Sequence, residues 1–259
     1  KVFRLSAPNK LSGSKLVQRS TLCAPKSPAA TDRPIITTDM ELRDGIRTTG
    51  AVRGFTDQVV GNETLRAILD DARFAPSGGN RQPWRVTVVK DLTVRRSLGD
   101  AMKPVWDEYV AISATGKTPF TVVDASAYQL ASVTPGNVPN DLLDKIESIP
   151  VVLAIAADLG SIAMMDKDLD RPTITGGASI YPFCWSVVLS ARDRGLGGVI
   201  TTFASRVEPT TGALLNLPDN WALAATIFLG YPVKQTTKLT RRPVESFTTV
   251  NTFDGPVFL

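Results

Sequence analysis

ARFAPSGGNRQPWRVTVVKD, residues 72–91, is the stretch on which the reading of this chain turns. Up to Ala72 the apolar residues Leu65, Ile68, Leu69 and Ala72 recur at helical spacing behind Asn62, which predicts a helix capped by that asparagine. Pro76 disfavours helical geometry at Ala75 and ends it. RVTVV, residues 85–89, predicts a strand. A bare helix-to-strand connection needs a turn and a place for Trp84. It does not need Ser77, Asn80, Arg81 and Gln82 crowded around Gly78 and Gly79. Glycines let a ligand approach the backbone, and amides and hydroxyls supply hydrogen bonds. The loop therefore predicts a site for a flat, polyhydroxylated ligand.

On the N-terminal side, Thr38-Asp39-Met40-Glu41 has the spacing of a capping box and predicts a helix to about Arg47. On the C-terminal side, residues 93–103 predict a helix. A poorly patterned stretch follows to residue 149, with Pro119, Pro135, Gly136 and Pro139, and it closes on a short helix near 140–147. PVVLAIAA (150–157) predicts a buried strand. Residues 179–194 predict a helix with Pro182 in its first turn and Gly195 at its end; from Ile180 to Ala191 it is apolar almost all round, so more than one side must be covered. GGVITTF (197–203) and WALAATIFLGYP (221–232) predict two further strands, and a polar tail from 233 to 259 carries Lys238, Arg241 and Arg242.

Of the 259 residues 43% are hydrophobic and 21% charged, the balance of a core-forming chain. Its longest apolar runs are too short to span a bilayer, and its first residues lack a secretory apolar region. Two distant cysteines, Cys23 and Cys184, make no disulfide framework, so a cytoplasmic setting without membrane association is expected. The net charge of +4 is local. Residues 1–33 hold seven basic residues and one acid, leaving 22 basic and 24 acidic residues elsewhere. Residues 1–37 are thus read as a basic extension or leader in preference to a phosphate-binding arm, residues 38–259 as the folded domain, and nucleic acid is not expected as a partner. The absence of histidine excludes Ser-His-Asp and Cys-His nucleophile systems and HExxH zinc sites, and no metal is expected. Gly116-Lys117-Thr118 lacks the first glycine and leading strand of a Walker loop. Gly195-Leu196-Gly197 has Ile200 where a dinucleotide fingerprint needs its third glycine.

Three companions give the 76–84 loop its weight: IRTTGAVRGF (46–55) with Arg47 and Arg53, the glycine-led segment GLGGVITTF (195–203), and LTRRPVESF (239–247). Arginines distant in sequence can converge on one phosphate, whose geometry matches a guanidinium fork. With LRAILDDARFAPSGGNRQPWRVTVV, the apolar helix ending ARDRGLGG and the strand ending FLGYP, all in the same order over residues 38–250, the chain resembles the FMN-dependent nitroreductases and is most similar to their actinobacterial NAD(P)H-using branch.

That resemblance implies an α+β fold, a central mixed, mainly antiparallel sheet flanked by helices, in a homodimer with FMN at the subunit interface. It implies that Arg47, Arg241 and Arg242 hold the FMN phosphate, that Arg53 sits at the pyrimidine edge, and that Pro76, Ser77, Gly78 and Asn80 line the ribityl chain and ring. Ile200, Thr201 and Thr202 would run beside the flavin with a backbone N–H near N5. Family members often carry Arg-Arg-Ser before the Val-Arg pair. Here the span is Arg47-Thr48-Thr49-Gly50-Ala51, which offers the Thr48 and Thr49 hydroxyls as substitute phosphate ligands. The implied reaction is ping-pong, from NAD(P)H through FMN to a nitroaromatic or quinone acceptor, with no side-chain acid or base. Three alternatives on the same scaffold stay open: a flavin-consuming synthase of the cobalamin lower ligand, a tyrosine dehalogenase, and a non-catalytic FMN-sequestering protein. Finally, residues 103–149 are too long for a simple connection. Their aromatics Trp106, Tyr109, Phe120 and Tyr128 predict either a lid that binds the substrate or a satellite core.

Overall fold

Seven consecutive buried residues make Val151–Asp158 (β2) a central strand, and Trp221–Gly230 (β4), buried over its last six residues, is its neighbour. The structure is a computed structural model that describes residues 40–123 and 138–258. Trp84–Val88 (β1) lies on the free side of β2 and Gly197–Thr201 (β3) on the free side of β4, giving the order β1-β2-β4-β3. The sheet, expected to be mainly antiparallel, is antiparallel throughout among the described residues. The reason lies in the connection after β1. The chain leaves on a long helix yet re-enters the sheet at the same end, so that Val88 faces Leu153 and Val89 donates to the Val152 carbonyl.

Each face of the sheet has its own core. On one, Asn62–Ala72 (α2) and Tyr181–Asp193 (α5) press Ile68, Phe183 and Val187 onto Leu153, Ile155 and Ile227, and Trp84 stacks on Phe183 with centroids 4.7 Å apart. On the other, Leu92–Ala114 (α3) and Asp141–Asp144 (α4) bring Leu98, Met102, Leu142 and Leu143 against Val152, Ala154 and Phe228. Each fully buried side chain of this size contributes roughly 1.5–3 kcal/mol.

Four expectations are corrected. The first helix (α1) is Leu42–Thr48, with Glu41 at its N-cap and no side-chain cap. Glu41 therefore cannot serve as the third residue of a capping box; Thr38 and Asp39 lie outside the described residues. The Met40 N–H instead donates to Asp193 Oδ1 at 2.9 Å, tying the entry of α1 to the end of α5. Asn62 is the first residue of α2 rather than its cap, which is Gly61. Its amide oxygen accepts from Lys90 Nζ at 3.0 Å, a tertiary bond in place of a local one.

The largest correction is α3, which runs through Pro104 to Ala114 instead of ending at 103. Pro104 has no N–H for the Asp100 carbonyl, but both residues are exposed and water can take that bond. On the opposite side Met102, Val105 and Ile112 are buried, and that packing outweighs the proline. The region predicted to be a lid or a satellite core is thus helical for its first dozen residues. Lastly, the helix expected near 140–147 is α4 followed by a separate turn of 3-10 helix, Ile146–Ser148, and two short helices were not foreseen: Phe203–Arg206 (α6) and Glu208–Leu214 (α7).

Candidate functional site

The glycine-led strand β3 is an edge of the sheet, and its outer side meets the segment after α1. The Val52 N–H donates to the Gly198 carbonyl at 3.0 Å. A Cβ on Gly197 would come 2.5 Å from Val52 Cγ2, so glycine is what lets the two chains lie together. Antiparallel strands turn alternate residues toward their partner. Since Gly198 points away from β4, so does Ile200, whose N–H faces outward beyond the reach of Val52. Two more bonds, Thr56 N–H to the Tyr231 carbonyl (2.8 Å) and Val233 N–H to the Gly54 carbonyl (3.0 Å), strap residues 54–56 to the chain leaving β4. This fixes Arg53 and Gly54 beside the open edge.

Here a cavity of about 620 Å³ opens. Ile200, Thr201, Thr202 and Arg53 line it, together with Trp106 and Tyr109, so six residues picked for a ligand from three distant segments share one space. The Arg53 guanidinium has no hydrogen-bond or ion-pair partner among the described residues. Trp106 and Tyr109, three apart on α3, stack at 5.9 Å, and Phe203 meets both edge-on at 5.9 and 6.0 Å. Phe120 does not line the cavity but backs Tyr109, with centroids 6.3 Å apart. Tyr128 lies outside the described residues. The cavity also takes in Asn140, Asp141 and Leu142 from the start of α4, and Phe203 from α6. Phe203 could have been found, since it directly follows Thr202; Asn140 and Asp141 had no local signal beyond a helix start. Asn140 is a working cap whose Oδ1 accepts from Leu142 N and Leu143 N.

The 76–84 loop is not part of this cavity in the same chain. It precedes β1, while Ile200 is on β3, so three strand spacings of about 4.8 Å separate their strands. The loop is tightly built. Gly79, Asn80 and Gln82 all have positive φ (60°, 51° and 50°), and the strain is held by Ser77 Oγ, which accepts from Gln82 N, and by Ser179 Oγ, which accepts from Gly78 N, both at 3.0 Å. Pro76 and Asn80 remain exposed.

At the other candidate subsite the polar tail returns to the end of α1. A Cβ on Gly50 would lie 2.8 Å from the Thr236 carbonyl oxygen, and the Gln235 amide reaches the Gly50 carbonyl at 3.5 Å. The segments that carry Arg47 and Arg241 are therefore packed together, and Arg47, Arg241 and Arg242 are exposed. The threonines between are spent: Thr48 Oγ1 donates to the Asp44 carbonyl (2.7 Å) and Thr49 Oγ1, buried, to that of Gly45 (2.6 Å). The proton each would offer a phosphate is already given to a helix carbonyl.

Other reactive groups are enclosed. Burial pushes the Cys184 thiol up to about 12, which keeps it protonated and inert. Among the described residues no cluster of three or more acidic, cysteine or histidine side chains could hold a metal, and no helix is long and apolar enough to cross a membrane.

The sequence profile of the Nitroreductase family matches residues 46–231. A nitrobenzene nitroreductase of Ectopseudomonas oleovorans is 29% identical over 224 residues, covering 80% of this chain and 95% of the relative. A 5,6-dimethylbenzimidazole synthase of Rhodospirillum rubrum is 28% identical over 184 residues, covering 70% and 77%. Among solved structures, an NADPH:FMN oxidoreductase from Vibrio harveyi complexed with NAD+ superposes with a TM-score of 0.59 at 19% identity, over 82% of this chain and 77% of that one.

Proposed function

The chain belongs to the nitroreductase family, and from that premise we propose that it is an FMN-dependent oxidoreductase that uses NAD(P)H to reduce nitroaromatic or quinone acceptors by a ping-pong mechanism. The observation that carries this reading is the cavity at the β3 edge. An unpaired guanidinium, an outward backbone N–H and an aromatic wall meet there in a space of about 620 Å³, within the range of about 300–1,000 Å³ that holds drug-sized ligands.

These residues fit FMN. When bound, FMN supplies two-electron transfer through N5 between a nicotinamide and an acceptor. Arg53 would set positive charge at the ring's pyrimidine side, which favours the reduced flavin. The Ile200 N–H, turned outward by strand alternation, would be the donor for N5. Arg47, Arg241 and Arg242 are the phosphate ligands. Trp106, Tyr109 and Phe203 exclude water and offer a flat surface to nicotinamide and acceptor in turn, as ping-pong kinetics require.

We propose further that the active unit is a homodimer, in which the second copy's Pro76, Ser77, Gly78 and Asn80 complete the cavity that one chain leaves without them. Support comes from the apolar face left bare on α1 and α5, where Leu42 (72% exposed), Ile46 (52%), Tyr181 (46%) and Trp185 (39%) stand at helical i, i+4 spacing.

The test is the absorbance spectrum of the purified protein before and after anaerobic addition of NADPH. Bound flavin that bleaches with NADPH and recovers with a nitroarene is the expected result. Protein that takes up no FMN overturns the reading. Flavin that bleaches but passes no electrons to any acceptor points to a sequestering protein, and flavin destroyed by oxygen points to the chemistry of the synthase relative. A sedimentation mass of one chain would remove the dimer.

A further inference from the structure

Behind the aromatic wall lies a contact that the proposed function does not use. Phe120 has φ +55°, a conformation that bulky aromatic residues rarely adopt. Something must hold it there. The Arg206 guanidinium lies over its ring, 4.8 Å from the centroid, and Tyr109 meets it at 6.3 Å, tilted by 48°. Arg206 Nη2 also stands 3.6 Å from Glu108 Oε1. Arg206 closes the four-residue helix α6, and Phe203, which opens it, touches Trp106 and Tyr109. One guanidinium therefore meets α3 through Glu108 and the 116–123 turn through Phe120, and it is joined through its own backbone to the third side of the aromatic wall.

We propose that Arg206 is the positioning residue of the acceptor-binding wall, a latch that keeps Phe120 pressed on Tyr109 and so sets the pitch of the Trp106–Tyr109–Phe203 surface for flat aromatic acceptors. This rests on the reading of the cavity given above. The Glu108 contact is half-exposed on both sides and contributes little by itself. Its oxygen and the Phe120 ring meet the same guanidinium, at 3.6 Å and 4.8 Å. A lysine would keep the charge but bring a compact ammonium to the ring in place of the broad guanidinium. Acceptors that do not stack have no need of the wall, so the latch separates two classes of acceptor.

The experiment compares Arg206→Leu, Arg206→Lys, Phe120→Leu and the double variant Arg206→Leu/Phe120→Leu in the full chain. Two readouts are taken: kcat and KM of the FMN-loaded enzyme with nitrobenzene and with ferricyanide, and direct binding of nitrobenzene without reductant by quenching of tryptophan fluorescence. Arg206→Leu is expected to raise the nitrobenzene KM and Kd roughly fivefold. Its kcat, ferricyanide KM and FMN affinity should stay within about twofold, and Arg206→Lys should fall between. The double variant should be no worse than Arg206→Leu, because both remove one contact. Equal rises for both acceptors, additive single effects, or an unchanged nitrobenzene Kd would each overturn the latch. If the wild-type chain takes up no FMN, the flavin reading fails, and the binding titration alone decides the latch.

Discussion

Arg95 and Arg53 stand in opposite surroundings, and the contrast separates what holds this fold from what it offers to a ligand. Arg95, on the first turn of α3, is buried. Its guanidinium donates to the carbonyls of Val89 (2.7 Å), Ile149 (2.6 Å) and Glu147 (3.2 Å), closing the gap between the end of β1 and the start of β2. Burial pushes its pKa below the ordinary arginine value, a cost met by three backbone acceptors. Arg53, at the β3 edge, is exposed beside a cavity and pairs with nothing among the described residues. A cation enclosed by carbonyls is committed to the fold, whereas one held still by strapped backbone and left without partners is available to an incoming group.

The strongest test of this contrast is Arg95→Met. It keeps the apolar stem but strands three carbonyls, and should destabilise by at least about 3 kcal/mol, read as a lower urea midpoint with an unchanged slope. Stability within about 0.5 kcal/mol of wild type would place Arg95 in the same category as Arg53. Next in size is the converse. Arg53→Ala should leave the urea midpoint alone while weakening FMN binding roughly ten- to a hundredfold, the loss of one charge-assisted contact of about 1.5–3 kcal/mol. Arg47→Ala or Arg241→Ala should weaken FMN similarly but scarcely change riboflavin, which has no phosphate; equal loss of both ligands would mean that these arginines are structural.

Asp166 extends the comparison to an anion. Its buried carboxylate accepts from the Thr175 hydroxyl, the Ile174 N–H (2.9 Å) and Arg171 (2.7 Å), and these partners, led by Thr175, hold its pKa well below the usual carboxylate range. The folded chain then binds this proton more weakly than the unfolded chain. The stabilisation is complete above the ordinary carboxylate range and is lost progressively as pH falls through it and below. Asp166→Asn should remove that part of the acid slope in a series of melts from pH 7 to 3; an unchanged slope would show that the cage does not depend on charge. The smallest expected effect is at Pro104, between Arg95 and the cavity-lining Trp106 on the same helix. Pro104→Ala restores an N–H for the Asp100 carbonyl and should raise stability by about 1 kcal/mol with FMN affinity unchanged. A change in affinity would mean that the proline shapes the wall.

Strands and buried helices were legible because their signal is local. The apolar run of β2 and the periodicity of α2 can be read without knowing what they touch. The ends of α1 and α2 depart from the local capping rules because Met40 and Asn62 bond to Asp193 and Lys90, residues far away in the chain. α3 runs longer than its local pattern predicts because its buried face outweighs the rule against proline. At the candidate site, Arg53 and Ile200–Thr202 could be named from the family resemblance, and Trp106 and Tyr109 from residue type. Asn140, Asp141 and Arg206 could not, since nothing in a helix start or a lone arginine says which ring or cavity it will meet.

By itself the sequence determined the chemistry available to this protein: no histidine, a basic excess confined to residues 1–33, and a glycine-spaced set of arginines, amides and aromatics. It also determined the residue types at the sheet and its two helical layers, because burial and periodicity are properties of short stretches. Only the tertiary structure decided that the 76–84 loop and Ile200 belong to opposite edges of one sheet, and that Thr48 and Thr49 spend their hydroxyls on α1. The physical reason is that a hydrogen-bonding group or a charge can be satisfied by any partner the fold brings near. Its type is written locally, but whether it is spent on the chain or kept for a ligand depends on packing between segments far apart in sequence.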